Sequence, residues 1–99
     1  KEENIVPSNF FMSQNYPNPF NPSTNIKFGI PTNANVKVVI YNMLGQQIKT
    51  LINGTLSAGS YSLMWDGTNE MGIKVAGGAY IYRLTAGNYI DTKKMIMLK

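Results

Sequence analysis

Two carboxylates, Asp66 and Glu70, share the short segment Asp66-Gly67-Thr68-Asn69-Glu70-Met71-Gly72, and a pair of acids is what glycoside hydrolysis needs when they are held at a fixed separation. With Thr68 and Asn69, the same oxygens offer a loose shell for calcium, although their spacing does not match an EF-hand loop. The stronger reading is a turn: Asp before Gly accepts hydrogen bonds from neighbouring backbone N–H groups, and the segment is dense in turn formers. The chain has neither histidine nor cysteine. It therefore lacks the commonest general base, the commonest metal ligand and the usual thiol nucleophile. A protein without catalysis, metal or cofactor is expected.

Binding chemistry is spread more widely. Asn53-Gly54-Thr55 fits the N-glycosylation pattern, yet Asn-Gly is also a preferred hairpin turn, and the turn is the better reading. Tyr16, Phe20 and Tyr89 could stack on sugar rings, but aromatic residues in a β protein more often fill the core. The net charge of +4 rests on lysines scattered along the chain, with Arg83 the only arginine. Nucleic-acid binders cluster such residues on one surface, so DNA or RNA is not an expected partner. Three lysines gather near the end, Lys93, Lys94 and Lys99; they either offer contacts to a partner or keep an apolar edge strand soluble.

The elements that position these residues read as strands. A chain of 99 residues with 43% hydrophobic and 14% charged residues suits one folded domain, and no apolar run is long enough to span a bilayer. Alternation with a period of two recurs between turn residues spaced roughly eight to twelve apart. Phe10 to Gln14 is the first expected strand, followed by a stiff loop through Pro17, Pro19 and Pro22. Ile26, Phe28 and Ile30 form the inner face of a second strand, and Asn33-Ala34-Asn35 supplies a turn. Val36, Val38 and Ile40 oppose Lys37, Val39 and Tyr41 in a central third strand.

Asn42-Met43-Leu44-Gly45 reverses the chain into a fourth strand, Gln46 to Ile52, which ends at Asn53-Gly54. After Leu56 to Gly59, Tyr61, Leu63 and Trp65 alternate with smaller residues and form the middle of the core, with Trp65 as its anchor. A long surface loop runs to Gly77-Gly78. Tyr80, Tyr82 and Leu84 then face one way, and Ala86-Gly87-Asn88 closes a hairpin with a last strand from Tyr89 toward Leu98. About seven antiparallel strands without a helix bury best as two stacked sheets, an all-β sandwich.

Particular words in the sequence carry a resemblance. Asn15-Tyr16-Pro17-Asn18-Pro19-Phe20-Asn21-Pro22-Ser23-Thr24 resembles the opening signature of type A C-terminal sorting domains of the type IX secretion system, which are similar to the immunoglobulin-like domain of flagellar hook-capping proteins. Val39-Ile40-Tyr41-Asn42-Met43-Leu44-Gly45-Gln46 resembles that family's "VYDxLGR" segment, and Trp65-Asp66-Gly67-Thr68-Asn69 its "WDG" turn. Gly78-Ala79-Tyr80-Ile81-Tyr82-Arg83-Leu84 resembles "GxYxYRL", and Lys93-Lys94-Met95-Ile96-Met97-Leu98-Lys99 the terminal "KKxxxxK" strand. The departures are Ala76, where many members have proline, and the abundance of methionine in the last strand.

The resemblance implies an immunoglobulin-like sandwich acting as a non-catalytic export address for a covalently linked upstream cargo. Its partners would be the outer-membrane type IX translocon and the protease that removes the signal; it would pass through the periplasm to the cell surface or medium without entering the membrane. Lys93, Lys94, Lys99, Gly78 and Tyr80 are the implied recognition residues, and Tyr16, Pro17, Asn18, Pro19 and Phe20 form the structural loop motif. Residues 1–8 would be the linker from the cargo and 9–99 the sorting domain. No signal peptide opens the chain, which reads as a piece of something longer. Two other roles stay open: a structural or assembly module akin to the hook-capping domains, and an ancillary carbohydrate-binding domain of a secreted enzyme.

Overall fold

The computed structural model describes residues 6–98. Lys99 and the first part of the expected linker lie outside the described residues. Seven strands follow one another: β1 Phe11–Met12, β2 Thr24–Ile30, β3 Ala34–Asn42, β4 Gln47–Leu56, β5 Gly59–Trp65, β6 Gly78–Ala86 and β7 Tyr89–Met97. They pair antiparallel in two sheets, one ordered β1-β2-β5 and the other β4-β3-β6-β7. No helix occurs among the described residues, so none is long and apolar enough to cross a membrane.

Alternation explains the layering. Ile26, Phe28 and Ile30 of β2 meet Val36, Val38 and Ile40 of β3 and Tyr82, Leu84 and Ala86 of β6 in one buried cluster. Each side chain points inward because strand residues two apart share a face. Trp65 closes one end of this core and is fully buried. Its ring packs against Phe20 at 5.7 Å and edge-on against Tyr80 at 5.2 Å, the tilted geometries that aromatic quadrupoles prefer. Tyr61 and Leu63 are only partly buried, because β5 is an edge strand rather than the middle of the core.

Several expectations are corrected. The first strand shrinks to Phe11–Met12, since the Asn15 backbone N–H turns away from β2 to bond the Tyr82 hydroxyl in the other sheet. The turn before β3 lies at Pro31-Thr32-Asn33, where Asn33 Oδ1 accepts the Ala58 N–H, and Ala34 already pairs with Leu56. Asn53-Gly54 is not a turn at all. Both residues sit inside β4, opposite Lys37 and Val36, and Gly54 does not adopt the positive φ that a two-residue hairpin turn demands. Two register shifts bulge β4 along β3, between Val38 and Val39 and between Ile40 and Tyr41.

Candidate functional site

The terminal strand β7 is an edge strand, and its outward backbone groups need partners. In an antiparallel pair alternate residues exchange hydrogen bonds with β6, and the residues between them point their N–H and C=O groups away from the sheet. The proline-rich loop takes up the last of these. Phe20 donates its N–H to the Ile96 carbonyl at 3.0 Å, and its own carbonyl accepts the Leu98 N–H at 2.8 Å, a parallel bridge centred on Phe20 and Met97. Asn18 Oδ1 accepts the Ile96 N–H at 3.0 Å, and Gln14 Nε2 donates to the Lys94 carbonyl at 2.7 Å. The loop is thus a cap on the C-terminal half of the edge. Prolines suit it, because they neither donate to a ladder nor extend one.

The loop is held from beneath by a buried polar cluster. Asn15 is almost fully buried; its side chain donates to the carbonyl of Pro17 and to Thr24 Oγ1, and Thr24 Oγ1 donates to the same Pro17 carbonyl at 2.8 Å. The Tyr82 hydroxyl donates to the Ser13 carbonyl at 2.9 Å while accepting the Asn15 N–H at 2.8 Å. Burial first, and the Asp91 charge last, push the Tyr82 phenol up to about 12 against the opposing Asn15 bond. Asn18 serves β7, whereas Asn15 and Thr24 satisfy the loop backbone at the Pro17 carbonyl. Tyr16 is 79% exposed, whereas Phe20 is buried against Trp65, so the motif presents one aromatic residue outward and plants the other in the core.

The recognition candidates do not form one patch. Lys94 lies on the outer face of its sheet and is exposed, while Lys93 lies on the inner side, near Asp91 at 4.0 Å. Gly78 is exposed at the start of β6. Tyr80 is only 6% exposed and donates its hydroxyl to the Ala76 carbonyl at 2.5 Å, so it is a packed core residue with little surface to offer a contact. Burial raises its phenol above the ordinary value. The carboxylates of the 66–77 loop also divide. Asp66 accepts the hydroxyl and the N–H of Thr68, and that hydroxyl bond above all holds it below the ordinary carboxylate value, aided by Lys49 and opposed by its slight burial. Glu70 accepts the Thr50 N–H at 2.6 Å and so covers the bulged edge of β4. Their oxygens are engaged on different partners, and no group of three or more potential metal-ligating residues converges among the described residues.

The loop and strand signatures meet in space. The Trp65 ring touches Phe20 and Tyr80, Tyr80 pairs with Asn42, and Met97 packs so tightly on Gly67 that a Cβ there would lie 2.9 Å from its Sδ. Gly67 also has φ +78, a left-handed conformation that favours glycine. Sequence reasoning gave each word but not their convergence at one end of the sandwich.

The model of the FlgD Ig-like domain matches residues 14–89. The chain belongs to this family. As a FlgD Ig-like domain it is an immunoglobulin-like sandwich, in agreement with its two antiparallel sheets. Dimeric latent PorU from Porphyromonas gingivalis is similar in structure, with TM-score 0.71 and 23% identity over 95% of this chain and 10% of that one. FlgD from P. aeruginosa gives TM-score 0.58 and 28% identity over 75% of this chain and 57% of that one. PorZ from P. gingivalis, described as an essential surface component of the type IX secretion system, gives TM-score 0.59 and 16% identity over 91% of this chain and 11% of that one. The chain therefore spans about a tenth of PorU and of PorZ. No curated protein matches it.

Proposed function

We propose that this FlgD Ig-like domain is a non-catalytic C-terminal sorting domain that directs an attached cargo through type IX secretion to the cell surface or medium. The supporting observation is that the segments resembling the sorting-domain signature assemble into one unit: the proline-rich loop caps β7, Trp65 packs on Phe20, and Gly67 receives Met97. A signal recognised as a folded shape needs its separate sequence words in one place. The similarity to PorZ, whose description names the same secretion system, points the same way. On this reading residues 1–8 lead from the cargo and 9–99 form the signal. The translocon and a signal-removing protease are its partners, Lys93, Lys94 and Lys99 are contacts, and the periplasm is a stage in transit.

The test is a reporter fused upstream of the chain in a host competent for type IX secretion. Replacing Lys93, Lys94 and Lys99 with Gln is expected to leave the reporter in the periplasm; undiminished secretion counts decisively against the proposal. A second reading, an assembly module, is favoured by the family match and by the likeness to P. aeruginosa FlgD. It expects self-association or a defined complex in light scattering, with export unaffected by the lysine changes.

A further inference from the structure

The outer face of the four-stranded sheet carries Val39, Tyr41, Ile81, Arg83 and Lys94 from three of the signature segments, yet the export reading gives a role to Lys94 alone, and the face is organised as a unit. The register sets Lys37 beside Thr85 and Ile90, Val39 beside Arg83 and Thr92, and Tyr41 beside Ile81 and Lys94. Lys37, Arg83 and Lys94 therefore run diagonally over three strands, with neighbours about 8 Å apart from ordinary strand spacings. Arg83 is pre-positioned: its guanidinium lies over the Tyr41 ring, 5.4 Å from the centroid, and its Nε donates to Thr92 Oγ1 at 3.4 Å.

No carboxylate among the described residues shares this face. Asp91 is on the inner side of β7, Asp66 bonds Thr68 in the 66–77 loop, and Glu70 reaches only the far edge at Thr50. The space between the cations is apolar. Val39 is 3% exposed although it faces outward, Ile90 is 63% exposed, and Ile81 and Tyr41 are half-buried. We propose that this face docks an acidic protein surface whose carboxylates meet Lys37, Arg83 and Lys94 and whose apolar side chains cover Ile81 and Ile90. An arginine and a tyrosine at the centre with lysines at the margin is the anatomy of a protein interface. A uniform polyanion such as a sulfated sugar would leave Ile90 unused, and three well-separated cations are sparse for a phosphate backbone. This inference does not depend on the export reading.

A random copolymer of glutamate and tyrosine serves as the probe, titrated into isotopically labelled chain and followed by amide NMR shifts. The largest shifts are expected at Val39, Tyr41, Ile81, Arg83 and Thr92. The double variant Lys37→Gln/Lys94→Gln should weaken binding at least about tenfold, while Lys27→Gln/Lys74→Gln, with equal charge loss elsewhere, should weaken it less than about threefold; such salt-sensitive contrasts are normal for charged interfaces. Arg83→Lys, which keeps the charge but loses the stacked fork, should fall between them. Equal losses in both double variants, shifts centred elsewhere, no binding at low salt, or tighter binding to heparin or to phosphatidylglycerol vesicles would each overturn the proposal.

Discussion

The Tyr82 hydroxyl illustrates how much one buried polar atom can hold. It joins the two sheets by donating to Ser13 and accepting from Asn15, both on the chain that leaves β1 for the loop. Tyr82→Phe removes the partner of both backbone groups, the Asn15 N–H at a buried position and the Ser13 carbonyl at a partly buried one, and equilibrium urea unfolding should register a loss of about 1–3 kcal/mol. The same burial sets a pH dependence. The folded phenol titrates near 12 against an ordinary 10.0, so the fold favours the protonated form. That contribution is complete below pH 10 and is lost as pH rises toward 12. Tyr80 and Tyr89 are raised in the same direction, so Tyr82→Phe should shrink the alkaline loss of stability without abolishing it, as thermal melts across that range would show. A flat alkaline profile in the parent chain would contradict the assignment.

Among the elements, the proline-rich loop and β7 are the pair whose relation decides the site. Asn18→Ala removes the acceptor for the Ile96 N–H at an exposed position, a change worth about 1 kcal/mol, and should speed exchange of the Ile96 and Leu98 amides while sparing β3. Phe20→Ala instead empties a core position beside Trp65, costs about 3–5 kcal/mol, and should speed exchange throughout both sheets. Uniform acceleration by Asn18→Ala would mean that the cap is not a local device. Strand alternation made β2, β3, β6 and β7 legible in the sequence, and Trp65 announced itself by size and company. The cap was not legible, because its bonds join residues far apart in sequence and every one ends on a main-chain atom of the terminal strand or of Leu98, which carries no residue signature. Asn53-Gly54 misled for a related reason: Asn-Gly favours a turn locally, but continued pairing with Val36 and Lys37 overrides that preference. Lys93 and Lys94 look alike as neighbours in sequence, yet strand geometry sends them to opposite faces.

For the molecule as a whole, the position of β7 determines which experiment can separate a signal from a scaffold. The strand carries Met95 and Met97 into the core and supplies the backbone partners of Phe20, so the loop, the Trp65 cluster and the sheet end all lean on it. Each buried methionine is worth about 2–5 kcal/mol, and the total stability of a domain is only about 5–15 kcal/mol. A chain ending at Asn88 should therefore show no cooperative melt, and a reporter fused to it would stay in the periplasm through unfolding alone. The lysine variants avoid that confusion. Lys93 makes only a long, partly exposed ion pair with Asp91, a class of contact that contributes about 0–1 kcal/mol, and Lys94 is exposed. Lys93→Gln/Lys94→Gln should thus keep an unfolding free energy within about 1 kcal/mol of the parent. If that folded variant is still exported normally together with Lys99→Gln, the sorting proposal fails; if export fails while the melt is preserved, the charges themselves are being read.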